Sequence, residues 1–278
     1  MNLDEIRNSY LAEGFSYIDA GSRTCQDVIL TLIGKSPFSK NVTIKGGVVM
    51  QHLSGDSRRA TQDFDLDFIR YSLSDESIKS FVDKLSEQSD DVFISITAPL
   101  EELKHQDYKG KRTYITISDN TGISIDTKLD IGVHKNLNIE QNSYCFDLSK
   151  LADSVTLLIN TKEQILVEKL KSLLKFGILS TRYKDIFDMY WLAVHGNLNK
   201  DIIMTDIALI VYADRTMSFK KTAEIISRLE AVFNDVKFLN QIARQKRHNW
   251  LDIAPEQVAN DLLRFFQKLF QNHQAETN

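Results

Sequence analysis

Arg59-Ala60-Thr61-Gln62-Asp63-Phe64-Asp65-Leu66-Asp67-Phe68 alternates carboxylates with Phe, Leu and Phe from position 63 onward. Successive side chains of a β-strand point to opposite faces, so a strand here sets Asp63, Asp65 and Asp67 on one face and the apolar residues on the other. The apolar face belongs in a core. The acidic face needs a use, because same-side carboxylates repel and Asp is disfavoured in strands. Hard oxygen ligands in that spacing suit Mg2+, which is commonly held by one or two carboxylates together with substrate phosphates.

On the N-terminal side, Val42-Thr43-Ile44-Lys45-Gly46-Gly47-Val48-Val49-Met50-Gln51-His52-Leu53 reads as a short strand ending at Lys45, a glycine turn and the start of an amphipathic helix. Amides at a helix N-terminus form an anion site, and glycine lets a phosphate approach the main chain. Thr61, two residues before Asp63 and on the same strand face, is placed to contact phosphates or to act as a local cap. Further upstream, apolar residues at helical spacing from Leu3 to Lys35 predict two packing helices with a break at Gly21-Ser22. No chemistry is visible in them.

On the C-terminal side, Ser74 or Asp75 caps a helix that continues through Leu85. Three β-rich segments follow, at 92–98, 112–118 and 122–133. In the last, Asp126, Lys128 and Asp130 share one face, so either aspartate could bring a third carboxylate to the Asp63 strand. From about Thr156 strand patterns stop and helical periods take over, at 161–175, 180–194, 200–213, 218–234 and 254–270. The expected architecture is α+β: residues 1–155 form a mixed or antiparallel sheet flanked by helices, and residues 156–278 form a helical bundle. The tail 271–278 is expected to be unstructured.

The first two of these helices carry a second charged group, Glu168-Lys169-Leu170-Lys171 and Arg182-Tyr183-Lys184-Asp185-Ile186-Phe187-Asp188-Met189-Tyr190. Lys169 is suited to meet a triphosphate as a point charge, and Arg182 and Lys184 to hold phosphates or an RNA backbone. Asp185 and Asp188 share a helix face. The plainer reading is a solvated face with Asp in a favourable first turn. Arg244-Gln245-Lys246-Arg247-His248-Asn249-Trp250 could bind a polynucleotide by phosphate contact and stacking, or be a solvated helix end with its Trp tucked inward.

The chain has 278 residues, 42% of them hydrophobic, with three Pro and eleven Gly, which argues for long regular elements around a substantial core. A net charge of −4 excludes a global basic field, so any polynucleotide partner must use a local patch. Cys25 and Cys145 have no metal-ligand spacing and read as two reduced, buried thiols. The acidic start Met1-Asn2-Leu3-Asp4-Glu5 is no signal peptide and no apolar run is of membrane-spanning length, so a cytoplasmic location without membrane association is expected.

Lys45-Gly46-Gly47, a short helix, then Arg59-x-Thr61-x-Asp63-x-Asp65 resembles the nucleotidyltransferase core of the AbiEii/AbiGii toxin family, a branch of the DNA polymerase β-like superfamily. Asp130-Ile131-Gly132 and the Glu168-Lys169…Arg182-x-Lys184-Asp185 run match that family's further motifs. The resemblance implies that Asp63, Asp65 and Asp130 hold two Mg2+ ions, with Asp126 the runner-up for the third ligand and Asp67 an addition to the pattern. It places Lys45, Gly46, Gly47, Thr61, Lys169, Arg182 and Lys184 around a nucleoside triphosphate (NTP), with Lys169 and Asp185 also catalytic. The C-terminal domain would thus contribute Lys and Asp to the active-site cleft. The implied reaction is nucleotide transfer from an NTP, with release of pyrophosphate, to an RNA acceptor such as the 3′ end of tRNA. The implied setting is a toxin–antitoxin or phage-defence (abortive infection) pair with a cognate antitoxin protein as partner. A small-molecule nucleotidyltransferase of antibiotic-modifying type would use the same ions beside a closed apolar pocket. A non-catalytic nucleotide-binding module is the remaining class.

Overall fold

The acidic alternation forms strand β2 (Phe64–Phe68) inside an eight-stranded sheet. The computed structural model describes residues 1–103 and 110–276, which divide into two compact units, Met1–Asn160 and Thr161–Asn278. In the first unit the other strands are β1 (Val42–Lys45), β3 (Val92–Ile96), β4 (Glu101–Glu102), β5 (Lys111–Asp119), β6 (Ser124–Val133), β7 (Asn142–Leu148) and β8 (Asp153–Ile159). They lie in the order β3-β5-β6-β2-β1-β8-β7, with β4 paired to β5. The sheet is mixed: β2 is antiparallel to β1 and parallel to β6, and β1 is parallel to β8. Helices α1 (Leu3–Ala12), α2 (Tyr17–Lys35), α3 (Gly46–Ser54) and α4 (Asp75–Ser86) flank it. The period-two pattern is realised from Phe64 to Phe68, with Phe64, Leu66 and Phe68 at most 1% exposed, while Asp63 stands just before the strand. Phe68 meets Tyr71 and Phe81 edge-on with ring centroids 5.0 and 5.2 Å apart, and this seats α4 against the sheet.

Three features of this unit depart from expectation. The break between the first two helices falls at residues 13–16, because Gly14 adopts φ +90° and the Ser16 side chain caps α2 by accepting from the Asp19 amide. Gly21 lies inside α2, whose residues 24–33 are all buried. A Cβ at Gly34 would stand 2.0 Å from Val155 Cγ2, so the end of α2 lays bare backbone against β8. Strands β7 and β8 were hidden by polar residues on their exposed faces. On β7 the Cys145 thiol is exposed, and only Cys25 is buried, where desolvation pushes its thiol up to about 12.

The second unit is helical: α5 (Lys162–Phe176), α6 (Tyr183–His195), α7 (Lys200–Asp206) continuing into a π-helical stretch at Ile207–Tyr212, α8 (Thr222–Phe233), α9 (Val236–Arg244) and α10 (Pro255–Glu276). Its core includes Leu166, Leu170, Phe187, Leu192, Ile203 and Phe266. Helix α9 was not anticipated, since it buries little beyond Phe238 and Ile242. Helix α10 runs on through Glu276, into the tail expected to be unstructured; residues 277 and 278 lie outside the described residues. Among the described residues no helix is long and apolar enough to cross a membrane.

Asp206 gives this unit a pH signature. It is buried, and desolvation together with the charges of Glu163 and Glu168 pushes its carboxyl up to about 6. A carboxyl whose folded-state pKa lies above its ordinary value stabilises the fold most below that ordinary value, and the contribution is lost as pH rises through 6. Asp206→Asn therefore raises Tm relative to the parent by an amount that grows between pH 4 and pH 7, on the order of 1 kcal/mol at the upper end. Paired thermal melts across that range check it, and a difference independent of pH would contradict it.

Candidate active site

Strand register brings charged residues into one line across the first unit's sheet. Lys45 on β1 is opposite Asp65 on β2, Asp65 is opposite Asp130 on β6, and Asp130 is opposite Arg112 on β5. The line reads cation, carboxylate, carboxylate, cation. Adjacent strands run about 4.8 Å apart, so the Asp65 and Asp130 side chains leave the same face as immediate neighbours. Asp130 is 8% exposed and is gripped by Arg112, whose Nε and Nη2 donate to its two oxygens at 2.7 Å each. That bidentate bond lifts the Arg112 guanidinium above its usual range, against the opposing effect of burial.

The flanking carboxylates have partners of their own. Asp67 is 4% exposed and pairs with Lys45 Nζ at 2.8 Å, so it is a buried ion-pair member and no solvated strand end. Asp63 precedes β2, is half exposed, and pairs with Lys128 at 2.8 Å. Asp126 bonds to the Thr116 hydroxyl beyond the stretch where β2 and β6 pair, so register gives Asp65 the company of Asp130 and leaves Asp126 aside.

The glycine turn is built around the same carboxylate. Gly46 has φ +67°, a conformation that favours glycine, and a Cβ there would stand 2.2 Å from Asp65 Oδ2. A Cβ on Gly47 would stand 2.4 Å from Thr61 Oγ1. Thr61 thus lies in an irregular stretch before β2, with its side chain packed on the bare backbone of Gly47. Helix α3 begins at Gly46 with no side-chain cap, which leaves its first amides for an anion. Gly46→Ala forces both a strained φ and a displaced Asp65, so activity should fall at least about a hundredfold with a loss of about 1–3 kcal/mol in stability. Rate assays beside thermal melts check this, and unchanged turnover would contradict it.

The donor set on this face fits a divalent cation in its chemistry: hard carboxylate oxygens of Asp65 and Asp130 side by side, with Asp63 at the edge. Among the described residues no three Asp, Glu, His or Cys side chains converge into a ready metal cluster. Arg112 and Lys128 are the cations against which a metal would compete for Asp130 and Asp63.

The second unit holds the other charged group. Lys169 Nζ lies 2.6 Å from Asp185 Oδ1 and 2.9 Å from Asp188 Oδ2, with its side chain 7% exposed. Burial alone would push the Asp185 carboxyl up, but Lys169 and Arg182 outweigh it and hold it below the usual carboxylate range. Trp250 Nε1 donates to Asp188 Oδ1 at 3.1 Å, and Trp250 is 2% exposed. Stacking of a base on Trp250 is therefore ruled out, although Lys246 and Arg247 beside it are exposed. Arg182 is exposed and bonds to Asp185 Oδ2 at 2.5 Å, while Lys184 is half-buried at the start of α6.

Arg112 is the site residue that sequence reading missed. It is the second residue of a strand with ordinary alternation, and only the β5–β6 register shows that it clamps Asp130.

A family model described as nucleotidyl transferase AbiEii toxin, type IV TA system, matches residues 28–272. Among solved structures, a candidate nucleotidyltransferase from H. pylori is similar at 16% identity and a TM-score of 0.49, covering 94% of this chain and 98% of that one. An antigenic nucleotidyltransferase-like protein from Paracoccidioides brasiliensis is similar at 18% identity and a TM-score of 0.39, covering 80% and 92%. No curated protein matches the chain.

Proposed function

The chain belongs to the AbiEii family of nucleotidyltransferase toxins, and from that membership we propose that it transfers a nucleotide from an NTP to a hydroxyl of an RNA acceptor, such as the 3′ end of tRNA. The observation that carries this reading is the seating of the Asp65 carboxylate between Asp130 and the bare backbone of Gly46. It puts a paired-carboxylate face beside an uncapped helix start, which is what a phosphoryl-transfer site needs.

Asp65 and Asp130, with Asp63, would hold divalent metal, in this reading two Mg2+ ions. When bound, these would supply charge to the phosphoryl oxygens and lower the pKa of the acceptor hydroxyl. The chain's own part is to place phosphates. The first amides of α3 donate to them, Gly46 and Gly47 let them approach, and Thr61 and Lys45 border the turn. Arg112 holds both Asp130 oxygens, a bond that would be shared with or displaced by a metal on binding. On the second unit, Arg182 and Lys184 are proposed to hold the phosphates of an RNA backbone, with Lys169 and Asp185 fixing the start of α6. A cognate antitoxin as partner, a role in phage defence and a cytoplasmic location, where NTPs and tRNA are abundant, complete the proposal.

Incubating the full chain with each labelled NTP, Mg2+ and bulk tRNA tests it. Label should appear on tRNA with equimolar pyrophosphate and vanish with EDTA. Label on small alcohols alone would point to a small-molecule transferase, and no pyrophosphate with any nucleotide would reduce the protein to a binding module.

A further inference from the structure

We infer that Gln26 is a positioning residue for the nucleotide, acting from α2 by fixing the Thr61 segment against Gly47 and so setting the width of the turn that receives the triphosphate. The inference rests on the nucleotidyltransferase site described above and adds to it a residue from a helix with no evident chemistry of its own.

Gln26 is 2% exposed, and its Nε2 donates to the Thr61 backbone carbonyl at 2.8 Å. Its Oε1 is buried without a hydrogen-bond partner among the described residues. An unpaired buried amide oxygen is destabilising, and a leucine at this position would avoid it. The amide is explained by what its other end holds. A second tether lies two helical turns earlier on the same side of α2, where Gln62 Nε2 donates to Asp19 Oδ1 at 3.2 Å. Both tethers grip the short irregular stretch between Arg59 and β2. That stretch belongs to no ladder of its own, and α2 holds it at two points. Its Thr61 side chain fills the space over Gly47, with Oγ1 and Cβ only 2.4 and 2.6 Å from where a Cβ would stand. The chain of contacts runs from Gln26 to the Thr61 carbonyl, from the Thr61 side chain to the Gly47 backbone, and from there to the first amides of α3.

The test uses the full chain with Gln26→Leu, Gln26→Glu, Thr61→Ala and the double variant Gln26→Leu/Thr61→Ala. Gln26→Leu is expected to raise KM for the NTP about tenfold while kcat stays within about threefold. Its Tm should stay within a few degrees of the parent's, since removal of the unpaired Oε1 offsets the donor lost by the Thr61 carbonyl, and the backbone amides of residues 60–63 should exchange faster. Gln26→Glu, which sets a carboxylate against the Thr61 carbonyl, should raise KM at least as much. The double variant should be no worse than Thr61→Ala alone, since both act through one contact. An unchanged KM, additive effects, or a fall in kcat that tracks a fall in Tm would overturn the inference. An inactive parent protein overturns the functional reading and this inference with it, whereas an active parent whose KM is indifferent to Gln26 overturns this inference alone.

Discussion

Asp65→Asn is expected to lower nucleotide transfer at saturating NTP and Mg2+ by about a thousandfold, or about 4 kcal/mol in activation free energy, with the fold intact. The substitution keeps the size of the side chain that sits against Gly46 and removes only its charge. It removes repulsion from the cross-strand neighbour Asp130 together with attraction to the cation opposite, Lys45, so Tm should stay within a few degrees of the parent's. Asp67→Asn is the control on the same strand face. It strips Lys45 of a carboxylate partner held at 2.8 Å in a largely buried pair, which should cost about 1–3 kcal/mol in stability. Its turnover should fall far less than that of Asp65→Asn. Initial rates of label incorporation, read beside thermal melts, separate the two. If Asp65→Asn keeps more than a tenth of the parent rate, Asp65 is not the carboxylate on which turnover depends. If the two variants lose activity in proportion to stability, the acidic face is an electrostatic brace for the sheet.

Much of this face could be read from one strand, because a period of two is a local property. Phe64, Leu66 and Phe68 take one face and Asp65 and Asp67 the other whatever the rest of the chain does, although Asp67 is itself buried against Lys45. The turn itself was legible for the same reason, since a Gly pair after an apolar strand marks a local break into a helix. What stayed hidden depends on pairing. That Asp130 rather than Asp126 stands beside Asp65 is a matter of register, and the β6 sequence fits either slip. Arg112 and Lys128 take their meaning from the strands opposite them. Gln26 was hidden by its setting, since a polar residue in the middle of an apolar helix face is invisible without the loop it holds. The helical unit was legible in outline from its period, yet Trp250 could be a stacking platform or a core residue until Asp188 was seen to accept its indole N–H.

Lys169→Met is expected to cost the second unit about 3–5 kcal/mol, a fall in Tm of roughly 10 °C, because it leaves Asp185 and Asp188 buried with their main countercharge gone. Asp188 is fully buried and Asp185 nearly so, and Arg182, exposed and bonded to one Asp185 oxygen, cannot serve both. The pH dependence follows from Asp185. Its carboxyl is held below the usual range in the parent, so the stabilisation is present above that range and is lost as pH falls. In the variant, with Lys169 gone, burial acts on the Asp185 carboxyl with less to oppose it, so its pKa rises. The difference in Tm should therefore be largest where both carboxylates are ionised and shrink as pH falls into the carboxylate range. An unchanged Tm would mean that the pair is not the brace its burial implies. The triple variant Lys169→Met, Asp185→Asn, Asp188→Asn removes all three charges while keeping hydrogen-bonding capacity for Trp250, and it should regain most of the lost stability, since neutral groups of similar volume replace buried ion pairs at little cost. Its activity then decides what Lys169 does. A stable triple variant that still transfers nucleotide assigns Lys169 a structural role, and a stable but inactive one assigns this charged group a part in the chemistry.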